Sequence, residues 1–216
     1  MSPVVGTSNP AAGVGLSAGP QVLTTTTIRL VQAAAVFVSA VFTGTSLSLS
    51  AAVTPRLLES PTGLMLRQWA HMYAGLKLPM PLACFSTGAA YFWLAYKFGI
   101  RQGLLVTKGR AYLAAGALCA GILPYTLVIM MHTNNRLNKK AADVERSVVV
   151  ASAGKTDKKE AEAAESAVIN YYEEPEVESR GTEGAKYLVD HWGMLNLVRT
   201  GMAAVGTVLG LHAALF

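Results

Sequence analysis

The chain has 216 residues, 52% of them hydrophobic and only 14% charged, with a formal net charge of +5. Soluble domains carry about 25% charged residues, so the composition excludes an ordinary water-soluble domain and points to a helical protein in lipid. The basic residues sit beside apolar segments and read as loops at a membrane surface, not as a nucleic-acid footprint. The two cysteines, Cys84 and Cys119, lie inside apolar stretches and exclude a disulfide framework or a cysteine-rich metal cluster.

Residues 1–22 are rich in Gly, Ser, Ala and Pro and lack the basic start and compact apolar core of a signal peptide. They read as a disordered tail, with the first apolar helix acting as an uncleaved signal anchor. Apolar stretches follow at 28–53, 78–98, 112–131 and 194–215, each near the roughly 20 residues that cross a bilayer core of about 30 Å.

In the first stretch Gln32, Ser39, Thr43, Ser46 and Ser50 fall on one helical stripe, opposite Val36, Phe37, Val41, Leu47 and Leu49. The polar stripe faces neighbouring helices, either for close packing or to line a pocket. In the following loop Arg67 and His71 are four apart, as are Trp69 and Tyr73, which predicts a short helix resting in the headgroups or closing over a pocket.

The second stretch opens with Pro79 and Pro81, suited to a first helical turn, and closes with Tyr91, Trp93 and Tyr96 before Lys97 and Arg101. The third contains Pro124, which predicts a kink, and ends at His132, Thr133, Asn134, Asn135 and Arg136. Segment 139–184, with KTDKKEAEAAES and YYEEPEVESRGTEG, reads as a solvated, partly disordered loop holding a short helix near 158–168. The last helix begins before the membrane and carries His191, Trp192, Asn196 and Arg199, then a small face of Ala203, Gly206 and Gly210. The predicted fold is all-α: a four-transmembrane-helix bundle over residues 23–216, with a short interfacial helix in the first loop and a long charged loop between helices three and four.

Alternating crossings place the end of helix one, the start of two, the end of three and the start of four at one bilayer surface. Arg199 lies about five residues inside the last stretch, so about 7 Å deep, where an arginine is costly unless it snorkels or faces partners. Asn196 and Trp192 share its face, and Asn134 and Asn135 are candidate partners from the third helix. Trp69 and Tyr73 are candidates to stack on a flat substrate, and His71 is a candidate base. No nucleotide loop, HExxH run or GxSxG elbow is present. A metal site of His71, His132 and His191 is a rival reading, with His212 on the other side of the membrane; the reading taken forward uses neither metal nor bound cofactor.

The pieces SLSAAVTPRLLE, LRQWAHMYAGLKLPMPL, LPYTLVIMMHTNNRLNKKA and HWGMLNLVRTGMAAVGTVLGL, in this order and spacing, resemble the DUF1772 family of anthrone oxygenase-like fungal membrane proteins. The resemblance spans all four apolar stretches and omits the tail and the charged loop. It implies an enzyme of secondary metabolism that oxidises an anthrone to an anthraquinone with O2 and no added cofactor. The implied partners are a small aromatic polyketide and membrane lipid, with a homo-oligomer or association with pathway enzymes, in the endoplasmic reticulum or a related endomembrane. His132 departs from the family pattern, which argues against it as an essential base. The implied chemistry assigns proton abstraction to His71 or His191, oxyanion stabilisation to Arg199 with Asn134, Asn135 or Asn196, and the binding of the substrate rings to Trp69, Tyr73, Trp192 and Asn196. The rivals are a non-catalytic bundle that binds lipid or an aromatic ligand or scaffolds other enzymes, and a transport component.

Overall fold

A computed structural model of the chain describes residues 20–99, 107–153, 155, 157–171 and 184–216. The expected tail over 1–19, the turn at 100–106 and loop segment 172–183 lie outside the described residues.

Every described element is helical. α1 (Pro20–Ser48) runs through a π-helical turn (Leu49–Val53) into α2 (Thr54–Leu58), followed by α3 (Thr62–Leu76) and α4 (Pro79–Gly99). α5 (Thr107–Tyr125) runs through a second π-helical turn (Thr126–Met130) into α6 (Met131–Ser152), and α7 (Lys158–Tyr171) and α8 (Ala185–Leu215) complete the chain. α1, α4, α5 and α8 pack side by side, while α3, α6 and α7 pack on one another beyond them.

Both π turns follow from proline. Pro55 has no N–H for the carbonyl four residues back, and the Thr54 N–H bonds five residues back to the Leu49 carbonyl. The Thr54 hydroxyl donates to the same oxygen at 2.8 Å. Pro124 likewise breaks the ladder of α5, and the Thr126 hydroxyl donates to the Ile122 carbonyl at 2.7 Å. The expected distortion at Pro124 is therefore a widened turn just after it.

Three helical segments are long and apolar enough to cross a membrane: Thr24–Leu58, Thr107–Ser152 and Ala185–Leu215. Large apolar side chains such as Phe37, Phe85, Val128, Val198 and Val208 cover the outer surface, and exposed apolar area on this scale marks a lipid-facing protein.

The polar stripe of α1 turns inward. Gln32 Nε2 donates to Tyr112 Oη at 2.7 Å, Ser39 Oγ and Tyr91 Oη share a hydrogen bond of 3.0 Å, and Ser46 pairs with Asn196. Leu49, expected on the opposite face, is buried because the π turn rotates it inward. The small face of α8 is tight: a Cβ at Gly210 would sit 2.3 Å from Tyr91 Oη.

The reading of 139–184 as a solvated loop is corrected over 139–152. α6 continues unbroken to Ser152, and Leu137, Ala141, Val144 and Val148, spaced four, three and four, form a buried stripe. The charges between them lie on the other face and masked this periodicity. The helix expected near 158–168 is α7, slightly longer than predicted. α1 also begins at Pro20, inside the segment read as tail.

Candidate active site

A cavity of about 70 Å³ opens where the bundle meets α3 and α6. Its wall takes Leu49 from the first π turn, Tyr73, Leu76 and Lys77 from the end of α3, and Met80 and Pro81 from the start of α4. Thr126 and Met130 come from the second π turn, Asn134 from α6, and Trp192 and Arg199 from α8. Segments far apart in sequence thus meet in one wall.

Arg199 is 9% exposed. No ion pair of Arg199 occurs among the described residues, its Nε is buried without a hydrogen-bond partner, and its guanidinium carbon lies 5.7 Å from the Phe42 ring centroid. A buried cation without a counter-ion is costly; the arrangement suits a ligand that brings negative charge. Asn134 Oδ1, in the same wall, is also buried and unpartnered. Arg199 and Asn134 thus bring an unpaired donor and an unpaired acceptor to the residues around the cavity.

Trp69 is fully buried and stands behind the wall. It stacks on Tyr73 with centroids 4.9 Å apart and meets Trp192 edge-on at 6.0 Å. It fixes the two wall aromatics and does not itself line the space, which corrects its expected role in holding substrate. Burial raises the pKa of the Tyr73 hydroxyl, and the charge of Arg199 acts in the opposite direction. Tyr73 is thus held as a neutral donor beside the guanidinium.

Arg67 anchors α3. Its guanidinium pairs with Glu165 of α7, and its Nε lies 3.3 Å from Glu145 of α6. The hydrogen bond to Glu165 raises the pKa of Arg67 further, against the opposing effect of burial. The cationic stripe expected on this helix is split: Arg67 is a clamp and His71 is exposed.

Several expected site residues lie elsewhere. His71 and Asn135 are exposed and absent from the wall, as is His132. His191 is half-buried and stacks on Tyr187 at 5.9 Å, also outside the wall. Among the described residues no three His, Cys, Asp or Glu side chains converge. Asn196 is fully buried, and its amide is consumed: Nδ2 donates to Ser46 O and Ser50 Oγ, both at 2.8 Å, and Oδ1 accepts from Ser46 Oγ at 3.2 Å. It pins α8 to α1 and offers nothing to a substrate. Helical position explains these outcomes. Asn135 follows Asn134 by one residue and so points about 100° away, while Asn196 precedes Arg199 by three and turns toward α1.

Sequence reasoning missed Lys77 and Thr126. Lys77 sits at the α3–α4 junction, read there as a loop, and Thr126 is set into the wall by the π turn after Pro124, which spacing alone does not reveal.

The family described as anthrone oxygenase matches residues 69–209, a span that includes every wall residue except Leu49. The chain is 30% identical to an anthrone oxygenase of Claviceps purpurea over 170 residues, covering 77% of this chain and 78% of the relative. It is 30% identical to an anthrone oxygenase of Aspergillus fumigatus over 168 residues, covering 75% and 80%. A monooxygenase of Dothistroma septosporum is 25% identical over 174 residues, covering 78% of this chain and 74% of the relative. No solved structure matches the chain.

Proposed function

The chain belongs to the anthrone oxygenase family, and from that premise we propose that the cavity beneath Arg199 holds an anthrone while O2 converts it to the anthraquinone. The observation that carries the assignment to this cavity is the unpaired, buried guanidinium of Arg199 facing an aromatic-walled space.

Loss of a C10 proton from an anthrone gives an aromatic enolate with negative charge on the C9 oxygen. Arg199 stabilises that oxyanion in a low-dielectric wall, where a fixed donor is worth most. Asn134 accepts from a ring hydroxyl and fixes the rotation of the substrate in its plane. Tyr73 and Trp192 stack on or flank the rings. The proton leaves toward the open mouth, where Lys77 is the remaining basic nitrogen of the wall and takes the base role first expected of His71 or His191.

The enolate passes one electron to O2, and the radical pair closes a C10–O bond. The peroxide anion takes a proton from Tyr73 or from the cation at the mouth. The C10 hydroperoxide then loses its remaining C10 proton as the O–O bond breaks, giving a carbonyl and water. One oxygen atom enters the product and the other leaves as water, so O2 accepts all four electrons and no further reductant or cofactor enters the proposed balance.

We further read the molecule as a four-crossing bundle in an endomembrane such as the endoplasmic reticulum. α4 has 21 residues, about 31 Å at 1.5 Å per residue, and it packs between α1 and α5. It is not among the three segments apolar enough on their own, and the four-crossing reading rests on its length and packing. In this reading α3 and α6 lie at the surface, and the cavity mouth opens at the interface, where a flat, poorly soluble substrate partitions. The test is purified protein with an anthrone and O2: anthraquinone forms well above the spontaneous rate, and a preparation depleted of metals by chelation keeps that rate.

A further inference from the structure

A second, smaller gap of about 10 Å³ lies deeper in the bundle, between Phe42, Ala83, Cys84, Thr87, Cys119, Ile122 and Ala203. It sits one helical turn below the active cavity on three separate helices. Cys84 follows Met80 by four residues, Ile122 precedes Thr126 by four, and Ala203 follows Arg199 by four, an axial offset of about 6 Å. The Phe42 ring lines the gap and also lies under the Arg199 guanidinium, so it stands between the two spaces.

The chemistry of this lining is selective. Ser39 also borders the gap, but its hydroxyl is already engaged by the Val36 carbonyl and Tyr91 Oη. Thr87 is 3% exposed, and its hydroxyl has no partner. The rest is carbon and two thiols. A buried water needs about two to four polar partners, whereas small apolar cavities stay dry and take up apolar gases. One free hydroxyl does not hold a water, but it tolerates a small, weakly polar guest.

From this we propose that the gap is a dioxygen-binding site that supplies O2 to an anthrone held above it. The proposal rests on the reaction assigned to the upper cavity. Dioxygen concentrates in hydrocarbon, and here it reaches the enolate from the membrane side without passing the substrate at the open mouth. Binding is non-covalent; the electrons move only once the enolate has formed.

The test fills the gap from two sides, with Ala83→Leu on α4 and Ala203→Leu on α8. In each folded variant the KM for O2 rises about tenfold, while the KM for anthrone and kcat at saturating O2 stay within about twofold. An unchanged KM for O2 in both folded variants overturns the proposal while leaving the reaction intact. A second readout does not need turnover: relaxation of the Ile122 methyl signals by dissolved O2. It is faster in the wild type than in Ala203→Leu, and equal relaxation in the two overturns the site. A wild type that oxidises no anthrone rejects the reaction instead, and the relaxation measurement still decides whether O2 occupies the gap.

Discussion

The guanidinium carbon of Arg199 lies 5.7 Å from the centre of the Phe42 ring, and no acidic side chain pairs with it among the described residues. The ring's negative face is a weak substitute for a counter-ion, worth about 0.5–2 kcal/mol. Keeping a cation in such a place costs stability. Replacing it with Met, which preserves much of the stem's packing, should therefore leave the thermal unfolding temperature unchanged or raised. The same variant should bind the anthraquinone product about ten- to a hundredfold more weakly, since a charge-assisted hydrogen bond contributes roughly 1.5–3 kcal/mol. Thermal unfolding in detergent and product titration check both halves; a variant that fails to fold would mean that Arg199 is structural.

Tyr73 links the wall aromatics to this charge. Its folded pKa is raised by burial, so the neutral form, and the donor it provides, persists past the ordinary value of about 10. That contribution is lost only as pH rises through the higher folded value. Tyr73→Phe keeps the ring stack with Trp69 and removes the donor. The expected result is a fall in kcat of about ten- to a hundredfold near neutral pH, with the Tyr73-dependent loss at high pH absent from the variant's rate profile.

The Arg67 clamp sets the position of α3, and with it Tyr73. Arg67→Gln removes pairing with both Glu145 and Glu165. These are partly solvated pairs, so the stability cost should be about 1 kcal/mol or less. The larger effect should fall on substrate affinity: the KM for anthrone rises several-fold while kcat changes little. Steady-state kinetics at two salt concentrations check this, because added salt should weaken the wild type toward the variant.

Much of this arrangement was legible in the sequence. The expected alternation of helix direction puts the ends of α1 and α5 beside the starts of α4 and α8, and Tyr73, Asn134, Trp192 and Arg199 line one cavity. What spacing could not resolve was which way each neighbour points. Asn134 and Asn135 differ by a single residue, yet only one is buried. Two π turns also shift the register of Leu49 and Thr126, and hydropathy carries no trace of that shift. The buried stripe of α6 is hard to see in the sequence because charged residues fall in every gap between Leu137, Ala141, Val144 and Val148.

The histidines give a direct check on these corrections. His71 is exposed, and His191 stacks on Tyr187 away from the cavity. His71→Gln and His191→Gln should each retain turnover within about twofold, against the roughly 10²–10⁴-fold loss expected for a general base. Initial rates on quantified, folded protein decide it.

Asn196 should behave as a pin. Asn196→Ala strands the Ser46 and Ser50 groups it now satisfies, and buried unsatisfied polar groups cost about 1–3 kcal/mol. Stability should fall accordingly, while the KM for anthrone in the folded fraction stays close to wild type.

The central claim is that Arg199 stabilises the enolate from which O2 takes its electrons. The most direct test is the rate of anthraquinone formation under ¹⁸O2 by purified wild type and Arg199→Met at equal folded concentration. The account predicts one ¹⁸O atom in each enzymatic product molecule and a loss of about 10²–10³-fold in the variant. Equal rates in the two proteins, with the label still incorporated, would contradict it.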